Sequence, residues 1–162
     1  MSDGVRRALT IIATVGTGAA GGLFLAFSTF VMTGLRRLPP VQGLQAMNAI
    51  NRAANGSAGL MVALFGTAVV CVALSVTAVR DLGERSAVLH LVAIALYLIG
   101  VVAMTIGYHV PRNEALLLVD PAAPDAVAAW HRYASTWTAA NHVRTISALG
   151  ACALFATSLR TR

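Results

Sequence analysis

ALTIIATVGTGAAGGLFLAFSTFVMTGL, Ala8 to Leu35, runs for 28 residues without a formal charge. About 20 helical residues cross the hydrocarbon core of a bilayer, and a signal-peptide core is only about 7–15 long. The stretch therefore reads as a retained transmembrane helix. Two further runs repeat the pattern, with 27 uncharged residues from Ala53 to Val79 and 25 from Ser86 to Val110. A fourth, Thr145 to Leu159, has 15 and crosses only if it takes its first turn from Ala140 to Arg144. The fold class expected is all-α: an integral membrane four-helix bundle with short interfacial helices in the first and third loops. It forms a single transmembrane domain over 1–162, with spans at about 8–34, 56–79, 87–108 and 140–159.

Composition agrees. Residues of the AVILMFWYC set make up 57% of the chain and charged residues 11%, against roughly a quarter charged in soluble domains. A soluble domain of this size has too much surface facing water to hide so many apolar side chains, so the natural partner is the lipid bilayer. All 12 basic residues are Arg, and they lie singly or in pairs in the gaps between apolar runs. A nucleic-acid binder would mass them into one patch, so no nucleic acid is expected. Arg6, Arg7, Arg80, Arg85, Arg160 and Arg162 fall in short segments, which puts both termini on the cytoplasmic side of a multi-pass cell-membrane protein. None of the six acids lies inside an apolar run, which argues against a proton-coupled exporter driven by an intramembrane carboxylate. Cys71 and Cys152, each inside an apolar run, read as small buried hydrophobes.

GTGAAG, Gly16 to Gly21, matches the dinucleotide fingerprint in letters only. That motif needs a strand before it and an acid about 20 residues on, and no acid occurs between Asp3 and Asp81. Gly18 and Gly22 instead form a small-xxx-small pair, which lets two helices approach closely in lipid and offers a face for a homo-oligomer.

Four spans place both long gaps on one membrane face, where the unusual polar groups gather: Asn48, Asn51, Arg52 and Asn55 in the first, and Tyr108, His109 and Asn113 through Asn141, His142 and Arg144 in the third. Leu44, Met47, Asn48 and Asn51 recur at i, i+3, i+4 and i+7, one face of a short helix. Further on, at 100° per residue, Trp130, Tyr133, Trp137, Asn141 and Arg144 fall within about 80° of one another. His131, Thr138 and His142 form a second stripe about 100° away. The first stripe fits an interfacial aromatic belt with a snorkelling Arg. It equally fits the wall of a pocket for a flat, oxygenated ligand, since an Arg at such depth usually serves a partner or a site. His109 and His142 can move protons near neutral pH. Bound to one centre they would instead make a two-His haem or metal site, although structural zinc takes four ligands. His90, near the opposite face, reads as interfacial.

The segments HVPRNEAL (His109 to Leu116) and W-x-x-Y-x-x-x-W-T-A-A-N-H-V-R-T (Trp130 to Thr145) resemble the anthrone-oxygenase-like family of small membrane proteins. GGLFLAFSTFVM and MNAIN agree with the same likeness. The resemblance implies four membrane helices and an oxygenase acting on anthrones, with no established need for flavin or haem. The matching positions are Asn113, Trp137, Asn141 and Arg144, with His109 just before the Pro. The function expected is an oxygen-dependent oxidation of a planar phenolic or ketonic aromatic small molecule at the membrane. No cofactor is predicted, and molecular oxygen is the co-substrate. Trp130, Tyr133 and Trp137 would stack on the rings. Arg144, Asn141 and Asn113 would hold the developing oxyanion, and His109, or His142 as second choice, would take the proton. The alternative is a non-catalytic membrane binding or partner-subunit protein.

Overall fold

The computed structural model describes residues 1–160 and is 86% helical, with no strand among those residues. Arg162, counted above among the C-terminal charges, lies outside the described residues. Five continuous helices follow one another: α1 (Asp3–Arg37), α2 (Pro40–Asn55), α3 (Ala58–Ala78), α4 (Arg85–Leu117) and α5 (Ala126–Ser158). Their limits follow local chemistry. The Ser2 hydroxyl accepts the Val5 N–H at 3.4 Å to start α1, and Ser57 does the same for Leu60 at 3.3 Å to start α3. Pro40 occupies the first turn of α2, where its missing N–H costs nothing.

Three of these helices, α1, α3 and α4, are long and apolar enough to cross a membrane. Their outward faces carry Val15, Phe30, Val69, Val72 and Ile99, all exposed, a surface suited to lipid. The fourth expected span is the second half of α5, a single unbroken helix of 33 residues that also absorbs the loop helix preceding it. The polar stripe from Trp130 to Arg144 keeps α5 out of the apolar set. The short helix of the third loop, Val110–Leu117, likewise continues α4 without a break. The turn before it, Thr105–His109, is π-helical, and the wider winding accommodates Pro111 within a continuous helix.

α5 packs most extensively against α1 and α4, and α3 closes the group against both. α2 folds back over α5 and the end of α4, where Asn48 Nδ2 donates to the Leu116 carbonyl at 3.2 Å. Two cores result. Phe24, Leu64, Leu74, Tyr97, Val101 and Phe155 fill one, and Met32, Leu44, Met47, Trp130, Tyr133 and Trp137 fill the other. Leu44, Met47, Asn48 and Asn51 are all buried, as the spacing in α2 predicts.

At the end of the molecule away from α2, Arg6 pairs with Asp3 at 2.7 Å and with Asp81 at 3.3 Å, tying the start of α1 to the α3–α4 loop. His90 is enclosed by the helices, 2% exposed. Its Nε2 lies 2.9 Å from the Ser158 hydroxyl and 3.4 Å from that of Thr10, and these two neighbouring helices give the imidazole a polar seat inside the core. Cys71 is buried and Cys152 half-buried, both as free thiols.

The GTGAAG segment is helical throughout. Its glycines serve helix contact within the chain. A Cβ on Gly16 would collide with Thr67 of α3, and one on Gly21 would stand 2.6 Å from Leu149 of α5. Of the small-xxx-small pair, Gly18 faces Cys152 at 3.2 Å within the chain, whereas Gly22 has nothing within 4 Å.

Gly43 tests the seating of α2. A Cβ there would lie 2.8 Å from the Leu35 carbonyl and 2.9 Å from the Trp130 ring. Gly43→Ala is expected to cost about 1–3 kcal/mol and lower the melting temperature in detergent. Gly22→Ala, with nothing within 4 Å, should leave it unchanged or slightly raised.

Candidate functional site

Where the two cores meet, a cavity of about 130 Å³ opens among α1, α2, α3, α4 and α5. Its walls are mostly apolar, built from Phe24, Phe27, Met47, Leu60 and Leu64. Polar side chains and one indole interrupt them: Asn51, Thr105, His109, Asn113, Trp137 and Arg144. Asn55 and Val110 are exposed at its rim, with Ile50, Ala54 and Met61 partly exposed beside them.

Arg144 is 6% exposed and folded inward rather than snorkelling. Its Nε and Nη2 donate to Asn141 Oδ1 at 3.1 and 2.6 Å, and Nη1 donates to the Thr105 hydroxyl at 3.3 Å. The guanidinium carbon lies 4.4 Å from the centre of the Phe24 ring and 5.3 Å from that of Trp137. Among the described residues Arg144 has no carboxylate partner; the ion pairs there belong to Arg6. A guanidinium carries five N–H donors, so the three bonds above leave two N–H groups for the cavity.

Asn141 is fully buried. Its Nδ2 donates to the Phe24 carbonyl and to the Ser28 hydroxyl, both at 2.8 Å, which turns Oδ1 toward Arg144. Ser28 in turn lies 3.2 Å from the Thr145 hydroxyl. A chain of polar contacts thus joins α1, α5 and α4 at one depth, and Asn141 acts as the clamp that orients the guanidinium.

Asn113 is oriented by a similar constraint. Its Oδ1 accepts from the Tyr133 hydroxyl at 2.8 Å and from Trp137 Nε1 at 2.9 Å. An indole N–H can only donate, so the oxygen must face the aromatic pair and the amide N–H₂ remains for the cavity side. Burial pushes the Tyr133 phenol above its ordinary pKa, which keeps it protonated as a donor.

His109 packs edge-on against Trp137, ring centres 5.0 Å apart. It faces the Ala140 carbonyl, yet neither ring nitrogen reaches a partner in hydrogen-bonding geometry. Asn51 neighbours the Tyr133 hydroxyl, and its Nδ2 is also left without a partner. Buried polar atoms are seldom left so in folded proteins, and His109 and Asn51 border the same cavity.

The expected site residues therefore divide into three groups. His109, Asn113, Trp137 and Arg144 line the cavity, and Asn141 positions Arg144 from behind. Trp130 and Tyr133 share their stripe but stand away from the cavity: Trp130 is 1% exposed and stacks on Tyr133 inside the second core. His142 and His131 are exposed on another face of α5, so His142 is not brought to the site. Among the described residues no three His, Cys, Asp or Glu side chains gather as a metal-ligand set. Phe24, Phe27, Thr105 and Leu64 belong to the site and had no distinguishing signal in the sequence.

The architecture is that of a helical protein with three membrane-length helices and a buried cationic pocket. The chain belongs to the anthrone oxygenase family, whose model matches residues 57–154. The matched segment holds Thr105, His109, Asn113, Trp137, Asn141 and Arg144, while the cavity walls from α1 and α2 lie outside it. No curated protein and no solved structure matches the chain.

Replacing Asn113 by Leu would strand the Tyr133 hydroxyl and the Trp137 N–H, each at a cost of about 1–3 kcal/mol. The expected result is a lower melting temperature and a shifted tryptophan emission. Asn113→Asp, which keeps an acceptor, should preserve the emission spectrum.

Proposed function

We propose that the protein oxidises a planar phenolic or ketonic aromatic molecule with dioxygen, within a membrane that it spans four times, near 8–34, 56–79, 87–108 and 140–159, both termini cytoplasmic. The observation that carries this reading is a buried guanidinium without a carboxylate, bordering the same cavity as an imidazole whose two nitrogens have no partner. A fixed cation needs an anion, and the anion can be one that forms only during reaction. Membership of the family supports an oxygenase-like role.

In the proposed mechanism His109 removes a proton from the carbon activated by the substrate's ring system and carbonyl. The negative charge moves to the carbonyl oxygen, where the free N–H groups of Arg144 and the Asn113 amide stabilise it. Trp137, already held by Asn113, supports the ring face. The electron-rich carbon then bonds to dioxygen, and the resulting peroxide takes up the proton. Loss of water, with the second C–H bond broken, leaves a new carbonyl. A methylene and one dioxygen thus become a ketone and one water, with dioxygen as the only co-substrate.

The size of the cavity bears on how a substrate would sit. A dry cavity of about 150 Å³ holds one benzene ring, and this one is about 130 Å³. The reacting ring would enter, and the rest of a fused system would lie in the mouth beside Ile50, Ala54 and Met61.

Detergent-purified protein supplied with an anthrone should consume oxygen faster than protein-free micelles do, with a quinone chromophore appearing. His109→Gln should slow this by about 10²–10⁴-fold, and Arg144→Ala by about 10²–10³-fold, while His142→Gln stays near wild type. Equal activity in Arg144→Ala would remove the oxyanion role, and no consumption above the micelle blank would remove the oxidation.

A further inference from the structure

Beside the site lies a second, smaller cavity of about 70 Å³ between α1 and α3. Leu23, Phe24, Leu60 and Leu64 line both spaces, so the two adjoin across these side chains. Ala19, Ala20 and Ala63 complete the smaller one, and no polar side chain lines it. Ala19 and Ala63 are exposed on the apolar outer face of the helices, so the cavity reaches the surface where lipid chains would lie.

We infer that this cavity is a dioxygen site, feeding the Arg144 pocket from the hydrocarbon side of the membrane; the inference rests on the oxidative reading of that pocket. Three properties select the occupant. Water needs two to four polar partners to stay in a cavity, and the walls supply none. A cavity known to take a benzene ring measures about 150 Å³, and this one, at about 70 Å³, has roughly half that space, too little for an aromatic substrate. A small apolar molecule remains, held as any apolar solute is held away from water. Phe24 lies in the wall between the cavities with the Arg144 guanidinium 4.4 Å from its ring centre. An oxygen molecule stored there waits one side chain away from the carbon that is to be oxidised. The alanines are the means: their short side chains leave the space that leucines on an apolar helix would fill.

Two measurements test this. Crystals of the wild-type protein pressurised with xenon, an apolar probe of similar size, should show xenon among Ala20, Ala63 and Leu64. In the oxygen electrode, Ala63→Leu and Ala20→Leu should each raise the KM for dioxygen by about tenfold, with kcat at saturating oxygen and the KM for the aromatic substrate unchanged. An unchanged oxygen KM in both folded variants overturns the dioxygen site while leaving the oxidation intact. A raised KM for the aromatic substrate instead would make the cavity a subsite for that substrate and would also overturn it. An empty cavity under xenon counts against it whether or not turnover is seen, whereas absence of turnover with xenon bound overturns the reading of the Arg144 pocket and keeps an apolar-gas cavity.

Discussion

A guanidinium enclosed by apolar helices with no carboxylate to neutralise it is the constraint around which this structure is arranged. Taking an ion out of water costs several kcal/mol even after the protein relaxes around it. The usual escape is to extend toward water, but Arg144 turns inward and is met by Asn141, Thr105 and the faces of Phe24 and Trp137. Neutral partners of this kind solvate a cation without cancelling its charge. A carboxylate at the same place would have made a quieter pair and left no field in the cavity. The positive potential is therefore retained, and it is retained where a space large enough for one ring adjoins it.

Much of the support for this arrangement comes from side chains outside the cavity lining, Asn141, Ser28, Tyr133 and Trp130. Asn141 is locked by α1 through Phe24 and Ser28, and Asn113 by Tyr133 and Trp137. In both cases a buried amide is held in one orientation because its partners can bond only one way, and the atom left over points to the site. Trp130 and Tyr133 act one layer further out: they fill the second core against α2, so α2 brings Asn51 and Met47 over the cavity as its cover.

The sequence makes the helical class, the apolar runs and the polar stripe of α5 legible because each is a local, periodic property. Trp130, Tyr133, Trp137, Asn141 and Arg144 do share one buried face. What periodicity could not convey is depth along that face. The stripe is about 20 Å long, and its first two rings pack a core while only later members meet the site. The partners contributed by other helices are equally hidden, since Phe24 lies 117 residues from Asn141 and Thr105 lies 39 from Arg144. Helix ends were obscured for a different reason: Pro111 looks like a break, yet α4 runs through it to Leu117, and the break falls only at 118–125, before α5 begins at Ala126. The seat of His90 was equally hidden, because the hydroxyls that hold it, on Thr10 and Ser158, are ordinary residues in distant helices.

Backbone winding supplies the last element. α1, α3 and α4 widen into π turns, and those at Phe27–Val31, Val62–Gly66 and Thr105–His109 contribute residues to the cavity (Phe27, Leu64, and Thr105 with His109), while a second π segment of α4, Leu98–Ala103, does not. π turns are rare, cost regular hydrogen bonding, and concentrate at functional sites. Here they have a geometric consequence. Thr105 and His109, four residues apart on one face of α4, lie in such a turn, so one helix offers both a hydroxyl to Arg144 and an imidazole to the space beside it. The carbonyls of a widened turn also become available to side chains, as where the Tyr97 hydroxyl donates to Leu64 at 3.1 Å. α5, which carries the cation and its clamp, has no such turn. The rigid, regular helix holds the charge, and the three helices around it are wound to leave room for what the charge addresses.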